Sequence, residues 1–291
     1  MSLLGQPYAT PSRVRGVYRY LLHQGSSGED KELLESILSP ASLIGDGNRD
    51  MIRGVINECL KMGLLTENGS RVAINKELPA AARDEATGDW LLPKTIAGLI
   101  FSRDHQENRE LARAITWYLM QNVYDAPGNW EEVGTALKEQ VGGNKFDITN
   151  DIRYGQFEDW IVYLGFAWKH DRMIPDPTRY LRCQLPHIFG RAGTRLLIGE
   201  VLERLAIAVP VFEHGYLRRD VEASTTIGKL PTKDHLSTVT AFAWLRLEDD
   251  GYVSLEEQSD ARVCILPQGE GTRRVSSITL LREAGGEACA F

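Results

Sequence analysis

A row of polar side chains recurs at every fourth position between residues 49 and 61. Residues four positions apart lie on the same face of a helix, so these side chains would point outward together. Arginine bonded to guanine and asparagine bonded to adenine are the pairings by which a helix in the major groove recognises DNA sequence. The row, termed the polar ridge, consists of Arg49, Arg53, Asn57 and Lys61. Because Asp50 and Glu58 interleave with it, a merely solvated helix face is the alternative interpretation.

The apolar residues between these positions predict the helix that carries the polar ridge. They form pairs that recur every four residues, which is typical of a helix that buries one stripe, and Gly63 ends the pattern. Two short β-prone runs joined by an Asn-Gly turn then predict a hairpin near residues 64–74. The apolar pairs expected in the core are Met51, Ile52, Val55, Ile56, Cys59 and Leu60.

Two further helices are predicted upstream of the polar ridge. Thr10-Pro11 is an N-cap followed by a proline at the first helical position, and an apolar stripe continues from there to Gly25. Residues 30–38 predict a second, shorter helix, which Ser39-Pro40 ends. With three helices followed by a hairpin, residues 1–78 resemble the winged-helix superfamily.

The winged-helix resemblance implies how this domain would contact DNA. In that fold the third helix usually enters the major groove, which would assign the base contacts to the polar ridge. The resemblance also implies phosphate contacts from Arg71 on the hairpin and from Arg15 and Arg19 on the first helix.

The order of helix, glycine and hairpin recurs twice farther along the chain. Gly165 follows a predicted helix over residues 150–164, and Gly251 follows one over residues 236–249. Hairpins are therefore expected near residues 166–175 and 252–266. The predicted fold class is mostly α with short β-hairpins (α+β), in the form of tandem winged-helix domains joined by a helical middle. The expected units are a winged-helix domain (1–78), a linker (79–89), a helical domain ending in a second winged-helix-like hairpin (90–188) and a C-terminal winged-helix-like domain (189–291).

The three units differ in the charge that their third helices would expose. The helix over residues 150–164 offers Asp151, Glu158 and Asp159 against a single Arg153, so it should repel phosphate. The helix over residues 236–249 has Arg246 as its only cation. Since the whole chain carries a net charge of −7, any nucleic-acid site must be local. DNA contact is therefore expected in the first unit only, and the other two are expected to be structural or to bind proteins.

The sequence motifs of common catalytic, metal and cofactor sites are absent. The six histidines and four cysteines lack metal-ligand spacing, and no phosphate-binding, dinucleotide-binding or hydrolase glycine motif occurs. We therefore expect no enzymatic activity, no metal and no cofactor. The alternative is a nuclease that binds magnesium through acidic pairs such as Glu158-Asp159 and Asp249-Asp250. The sequence has no secretory signal and no apolar run long enough to span a membrane, so we expect a cytoplasmic protein without a membrane partner.

Features spread along the whole chain carry a second resemblance. They include the Ser2-Leu3-Leu4 start, the Pro11-Ser12 helix opening, a tryptophan-rich middle, and a late segment, Trp244 to Tyr252, with the pattern Trp-Leu-x-x-Glu-Asp-Asp-Gly-Tyr. In these features the chain resembles DpdG-type accessory proteins of bacterial defence clusters that handle deazapurine-modified DNA. The resemblance implies a non-catalytic subunit that works beside ATPases and nucleases in the restriction of foreign DNA.

The predicted function is a non-catalytic DNA-binding and assembly subunit of a bacterial DNA-processing or phage-defence (restriction) system. Its expected partners are double-stranded DNA, contacted through the first domain, and other proteins of a multi-subunit complex. One alternative is a protein-docking scaffold without DNA affinity. Another is a transcription regulator that uses the helical middle as a sensor for a small ligand.

Overall fold

The computed structural model describes residues 3–5, 8–43, 49–103, 108–142, 146–227, 232, 234–258 and 260–283. Helices account for most of the regular structure, and the sheets are small and antiparallel. This architecture confirms the predicted fold class, mostly α with short β-hairpins.

The first part of the chain contains three helices and a three-stranded sheet. Its elements are α1 (Pro11–Gln24), β1 (Glu29–Asp30), α2 (Lys31–Leu38), α3 (Asp50–Lys61), β2 (Leu65–Asn68) and β3 (Arg71–Ile74). The Asp30 side chain starts α2 by accepting hydrogen bonds from the backbone N–H groups of Glu32 and Leu33. Gly63 follows α3 in a left-handed conformation, with φ +77°. The strand order is β1–β3–β2, and the hairpin predicted near residues 64–74 is confirmed.

The middle of the chain is helical and ends in a two-stranded hairpin. Its elements are α4 (Gly88–Ile100), α5 (Arg109–Tyr118), α6 (Trp130–Val141), α7 (Asp151–Tyr163), β4 (Ala167–Lys169) and β5 (Met173–Pro175). Asn129 and Asn150 cap α6 and α7 by accepting hydrogen bonds from backbone N–H groups in the first turn. Gly165, with φ +80°, separates α7 from β4, and the hairpin predicted near residues 166–175 is confirmed.

The last part of the chain combines helices, a second three-stranded sheet and a separate hairpin. Its elements are α8 (Thr178–Phe189), β6 (Arg195–Leu197), α9 (Ile198–Ala208), α10 (Tyr216–Glu222), α11 (Thr238–Asp249), β7 (Val253–Glu256), β8 (Cys264–Gln268), β9 (Gly271–Val275) and β10 (Ser277–Leu280). The sheet has the order β6–β10–β7, while β8 pairs with β9. In both three-stranded sheets, the central strand is the one that comes last along the chain.

The prediction of a hairpin near residues 252–266 is wrong. β7 pairs with β10, with Val253 opposite Leu280, and β8 pairs with β9, with Cys264 opposite Val275. The prediction paired the two nearest β-prone runs and stopped before residues 271–280. Ile278 and Leu280 of β10 are fully buried between β6 and β7 in the sheet, so the more distant pairing removes more apolar surface from water.

The stripe of apolar residues on α3 is buried along its centre and exposed at one edge. Ile52, Val55, Ile56 and Cys59 are in the core, as expected. The prediction is wrong for Met51, whose exposed fraction is 44%. At about 100° per residue, Met51 lies roughly a quarter turn from the middle of the stripe, too far around the helix to share the same neighbours.

The helix α1 connects the first part of the chain to the middle. It packs against α3, α4 and α7. Trp160 of α7 is fully buried, and its indole Nε1 donates a hydrogen bond of 3.1 Å to the carbonyl oxygen of Ala9, just before α1. Residues 79–89 also lie along α1, where the Tyr18 hydroxyl donates to the carbonyl oxygen of Ala82. The domain boundaries, including the linker over residues 79–89, stay predictions.

Gly28, between α1 and β1, should not tolerate a side chain. Its φ of +60° and ψ of −162° are accessible in practice to glycine alone, and a Cβ would lie 2.4 Å from the carbonyl oxygen of Val72. We expect Gly28→Ala to lower the free energy of unfolding in urea by about 1–3 kcal/mol. Gly16→Ala on α1 is the matched control, because nothing lies within 4 Å of its Cβ position and alanine favours a helix. Equal stability of the two variants would contradict this expectation.

Candidate nucleic-acid interface

The structure places the four residues of the polar ridge along one side of α3. Arg53, Asn57 and Lys61 are exposed, and Arg49 lies half-buried at the residue before the helix. This arrangement is the one that the four-residue spacing predicts. Whether it contacts DNA stays a prediction.

Arg53 is held by a buried carboxylate on α2. Its Nε donates a hydrogen bond of 2.8 Å to Oε2 of Glu35, whose side chain is 6% exposed, whereas the Arg53 side chain is 54% exposed. The hydrogen bond to Glu35 raises the pKa of Arg53. A second carboxylate, Asp50, lies 3.9 Å from Nη1. Nε is therefore bonded to Glu35, Nη1 lies beside Asp50, and more than half of the Arg53 side chain remains exposed to solvent.

Lys61, at the other end of the polar ridge, is held in the same way. Its Nζ donates a hydrogen bond of 2.6 Å to Glu58, whose side chain is 2% exposed. Burying a carboxylate without a partner costs free energy, so Arg53 and Lys61 offset the cost of burying Glu35 and Glu58. Glu58 was expected to weaken the ridge from the surface, but it lies in the core. Glu35 was missed, because its position depends on how α2 packs against α3.

Arg71 stabilises the sheet. Its Nε donates to the carbonyl oxygen of Ser27 at 3.0 Å, and its Nη2 donates to that of Gly28 at 2.9 Å. These two bonds fasten the segment before β1 to the start of β3. The side chain remains exposed, so the same guanidinium that stabilises the sheet would also make the predicted phosphate contact.

Arg15 and Arg19 lie apart from the polar ridge, on the side of α1 that faces α4 and α7. Nε and Nη2 of Arg15 each donate a hydrogen bond of 2.7 Å to Asp89, and Nε of Arg19 lies 3.6 Å from the same carboxylate. The hydrogen bond from Arg15 lowers the pKa of Asp89. The seven candidate residues therefore do not form one site: four lie on the polar ridge, Arg71 lies on the sheet, and Arg15 and Arg19 lie beside Asp89.

The comparison with protein families decides where the chain belongs. A family model described as DpdG-like matches residues 1–261. The chain belongs to the DpdG-like family. No curated protein and no solved structure is significantly similar to it. The resemblance to DpdG-type proteins is therefore confirmed over most of the chain, whereas the resemblance to the winged-helix superfamily stays a prediction.

The described part of this DpdG-like protein has neither a metal-binding group nor a membrane-spanning helix. It contains no group of three histidine, cysteine, aspartate or glutamate side chains that could hold a metal ion. Within the same residues, no helix combines the length and apolar character needed to cross a membrane.

Apolar side chains are exposed on the two helices of the DpdG-like protein that form the candidate interface. Leu33 and Ile37 lie one turn apart on α2 and are 48% and 43% exposed, and Met51 on α3 is exposed to a similar degree. Of these three, Met51 is the one that the sequence pattern placed in the core. Exposed apolar residues are more typical of a protein contact than of a phosphate contact, so the docking alternative would depend on these three residues.

Proposed function

We propose that this DpdG-like protein is a non-catalytic subunit of a bacterial DNA-processing or phage-defence system that binds double-stranded DNA and assembles with partner proteins. Membership in the DpdG-like family supports an accessory role in a cluster for deazapurine modification of DNA. The order α1–β1–α2–α3–β2–β3 supports interpreting the first 78 residues as a winged-helix domain, in which α3 would enter the major groove.

The orientation of Arg53 is the observation that carries the DNA proposal. Bidentate recognition of guanine uses two N–H groups of one guanidinium, and the bond to Glu35 occupies Nε alone. Because Glu35 is buried, it fixes the side chain before any ligand arrives. Less side-chain entropy is then lost on binding, which favours a specific contact.

The charge around α3 indicates what kind of DNA binding to expect. The three cations of the polar ridge are offset by three carboxylates, Glu35, Asp50 and Glu58. The local field is therefore weak, and affinity would come from a few positioned contacts. We expect the dependence on salt to be shallow compared with that of a strongly basic DNA-binding protein.

A titration of fluorescent duplex at two salt concentrations tests the proposal. Arg49→Ala with Asn57→Ala removes one cation and one base-reading amide, and neither side chain holds a buried carboxylate. We expect the loss of the amide to weaken binding by about 1–3 kcal/mol and the loss of the cation to reduce the salt slope by about 0.9. The pair Arg49→Ala with Arg53→Ala is a poorer test, because it leaves Glu35 buried without its partner.

A matched control makes the same change of charge and amide content elsewhere. Arg262→Ala with Gln268→Ala alters an exposed arginine and an exposed amide in the last part of the chain, and we expect no effect on duplex binding. If the wild-type protein does not bind duplex at low salt, or if both double variants bind as the wild type does, the polar ridge is not a DNA contact. The exposed Leu33, Ile37 and Met51 would then favour the scaffold that docks proteins without binding DNA.

A further inference from the structure

A groove lies between α1 and α7. It has a volume of about 850 Å³, and Lys169 on β4 also lines it. Its charged lining residues are Arg13, Arg15, Arg19 and Lys169 on one hand and Glu158 and Asp159 on the other. The α1–α7 groove therefore carries an excess of positive charge in a protein whose net charge is −7.

Two of these cations are not neutralised by a close carboxylate of their own. Arg15 and Lys169 are engaged by Asp89 and Glu158. Arg13 instead donates a hydrogen bond of 3.1 Å to the carbonyl oxygen of Tyr8, and it forms no ion pair with another described residue. Arg19 lies 3.6 Å from Asp89, which already accepts two shorter bonds from Arg15. With Asp89 included, the four cations of the groove face three carboxylates, Asp89, Glu158 and Asp159, and the cations without a carboxylate of their own in the described structure are Arg13 and Arg19.

A glycine on α1 leaves the wall of the groove open. Gly16 lies inside a helix, where glycine is less favourable than alanine, and no atom lies within 4 Å of the position that its Cβ would occupy. No neighbouring atom in the described part of the protein requires a glycine at this position. The space instead allows a ligand to approach the backbone of α1 between Arg13 and Arg19.

An exposed tyrosine joins the groove to α3. The carbonyl oxygen of Tyr8 accepts the hydrogen bond from Arg13, and its ring carbon Cδ2 lies 3.6 Å from the Cβ position of Gly54 on α3. The side chain of Tyr8 is itself exposed. The Tyr8 ring therefore lies against α3, outside the lining of the groove, while its backbone holds one of the groove arginines. Proteins bind single-stranded nucleic acids by combining phosphate contacts in a cationic groove with base stacking on aromatic rings, and a strand that leaves the groove past Arg13 would meet this ring.

We propose that the α1–α7 groove binds the sugar–phosphate backbone of single-stranded DNA, with Arg13 and Arg19 contacting phosphates and Tyr8 stacking on a base. A groove of about 850 Å³ has the size of a small-ligand site, which suits a few nucleotides of one strand. The inference rests on the proposed function for the choice of DNA as ligand. It adds a second contact, reached from α3 across Tyr8.

A titration with a fluorescent single-stranded oligonucleotide tests the groove. Arg13→Ala with Arg19→Ala leaves Asp89 paired with Arg15, and we expect a loss of affinity of at least about tenfold at low salt. The salt slope should fall by about 0.7 for each arginine. Tyr8→Ala should weaken binding by about 5–150-fold, the range measured for the loss of one stacked base.

Two further variants separate the groove from general attraction between charges. Gly16→Phe should also weaken binding, because it fills the groove without a change in charge and meets no atom of the protein at its Cβ. Arg262→Ala with Arg274→Ala removes two exposed arginines far along the chain and should leave single-strand binding unchanged. Circular dichroism on each variant confirms that the fold is retained.

Several results would overturn the inference. Single-strand binding unaffected by Gly16→Phe or by the Arg13 and Arg19 pair would exclude the groove, and an equal loss in the Arg262 and Arg274 pair would attribute binding to net charge. Displacement of the oligonucleotide by polyglutamate at equal charge concentration would identify an acidic peptide as the occupant. Duplex binding that depends on Arg49 and Asn57 is scored separately, so failure at α3 and failure at the groove are distinguishable.

Discussion

Replacing Glu213 with alanine should lower the free energy of unfolding by about 3–5 kcal/mol. Glu213 is buried and accepts hydrogen bonds from the backbone N–H of Ser237 at 2.8 Å and the hydroxyl of Thr240 at 2.7 Å, at the start of α11. It also lies near Arg218, which is 1% exposed and forms an ion pair of 2.7 Å with Glu222. The change would leave that guanidinium in the core with less negative charge around it. Urea unfolding at neutral pH measures the effect.

Acid should reduce the contribution of Glu213 to stability. Burial alone would raise the pKa of this carboxyl, but Arg218 and the bonds from Ser237 and Thr240 outweigh it, so the pKa is lowered. A carboxyl with a lowered pKa stabilises the folded state fully above its unfolded pKa and loses that contribution as the pH falls through the folded one. The difference between the wild type and Glu213→Gln should therefore shrink as the pH falls below the usual glutamate range.

An exposed glutamate provides the comparison for Glu213. Glu203 on α9 is exposed, and we expect Glu203→Ala to change the free energy of unfolding by less than about 0.5 kcal/mol. A loss at Glu213 as small as the loss at Glu203 would mean that Arg218 does not depend on this carboxylate.

Trp160→Ala should lower the free energy of unfolding by about 3–5 kcal/mol. The indole is fully buried, packs edge-on against Tyr163 at 5.9 Å between ring centroids, and donates to the carbonyl oxygen of Ala9. The change creates a cavity and removes the donor that holds the residues before α1 against α7. The measurement is again urea unfolding, with the midpoint and slope compared with those of the wild type.

Trp168→Ala is the natural control for Trp160→Ala, because it deletes the same side chain from an exposed position on β4. Trp168 is 54% exposed. Its one ring contact within the described residues is stacking on His170. We expect a small change in stability at this position. If both tryptophan variants lost similar stability, the junction between α1 and α7 would not depend on Trp160.

Local signals in the sequence predicted the parts of the fold that depend on neighbouring residues. Pro11 and Asp30 mark the starts of α1 and α2, and glycines at positions 63 and 165 precede two hairpins that were predicted correctly. The third hairpin could not be found in the same way, because the partner of β7 is β10, with β8 and β9 between them in the chain. Strand pairing across such a distance depends on packing of the whole unit.

The candidate interface was predictable in its outline and not in its electrostatics. The four-residue spacing placed Arg49, Arg53, Asn57 and Lys61 on one side of a helix. It could not show that Glu35 on another helix would hold Arg53, because that bond exists only after α2 packs against α3. The separation of Arg15 from the polar ridge also depends on tertiary structure, since Asp89 comes from α4.

The position of β10 sets an order of events during synthesis. β6 and β7 have no ladder with each other, and each completes its pairing only with β10, which follows both along the chain. As the ribosome releases a chain from its N-terminus, the sheet of the first part can close while the second still lacks its central strand. Until residues 277–280 emerge, the backbone hydrogen-bonding groups of β6 and β7 remain unpaired, and strands of other chains can pair with them instead. The last part of the chain should therefore be the part that most needs a chaperone.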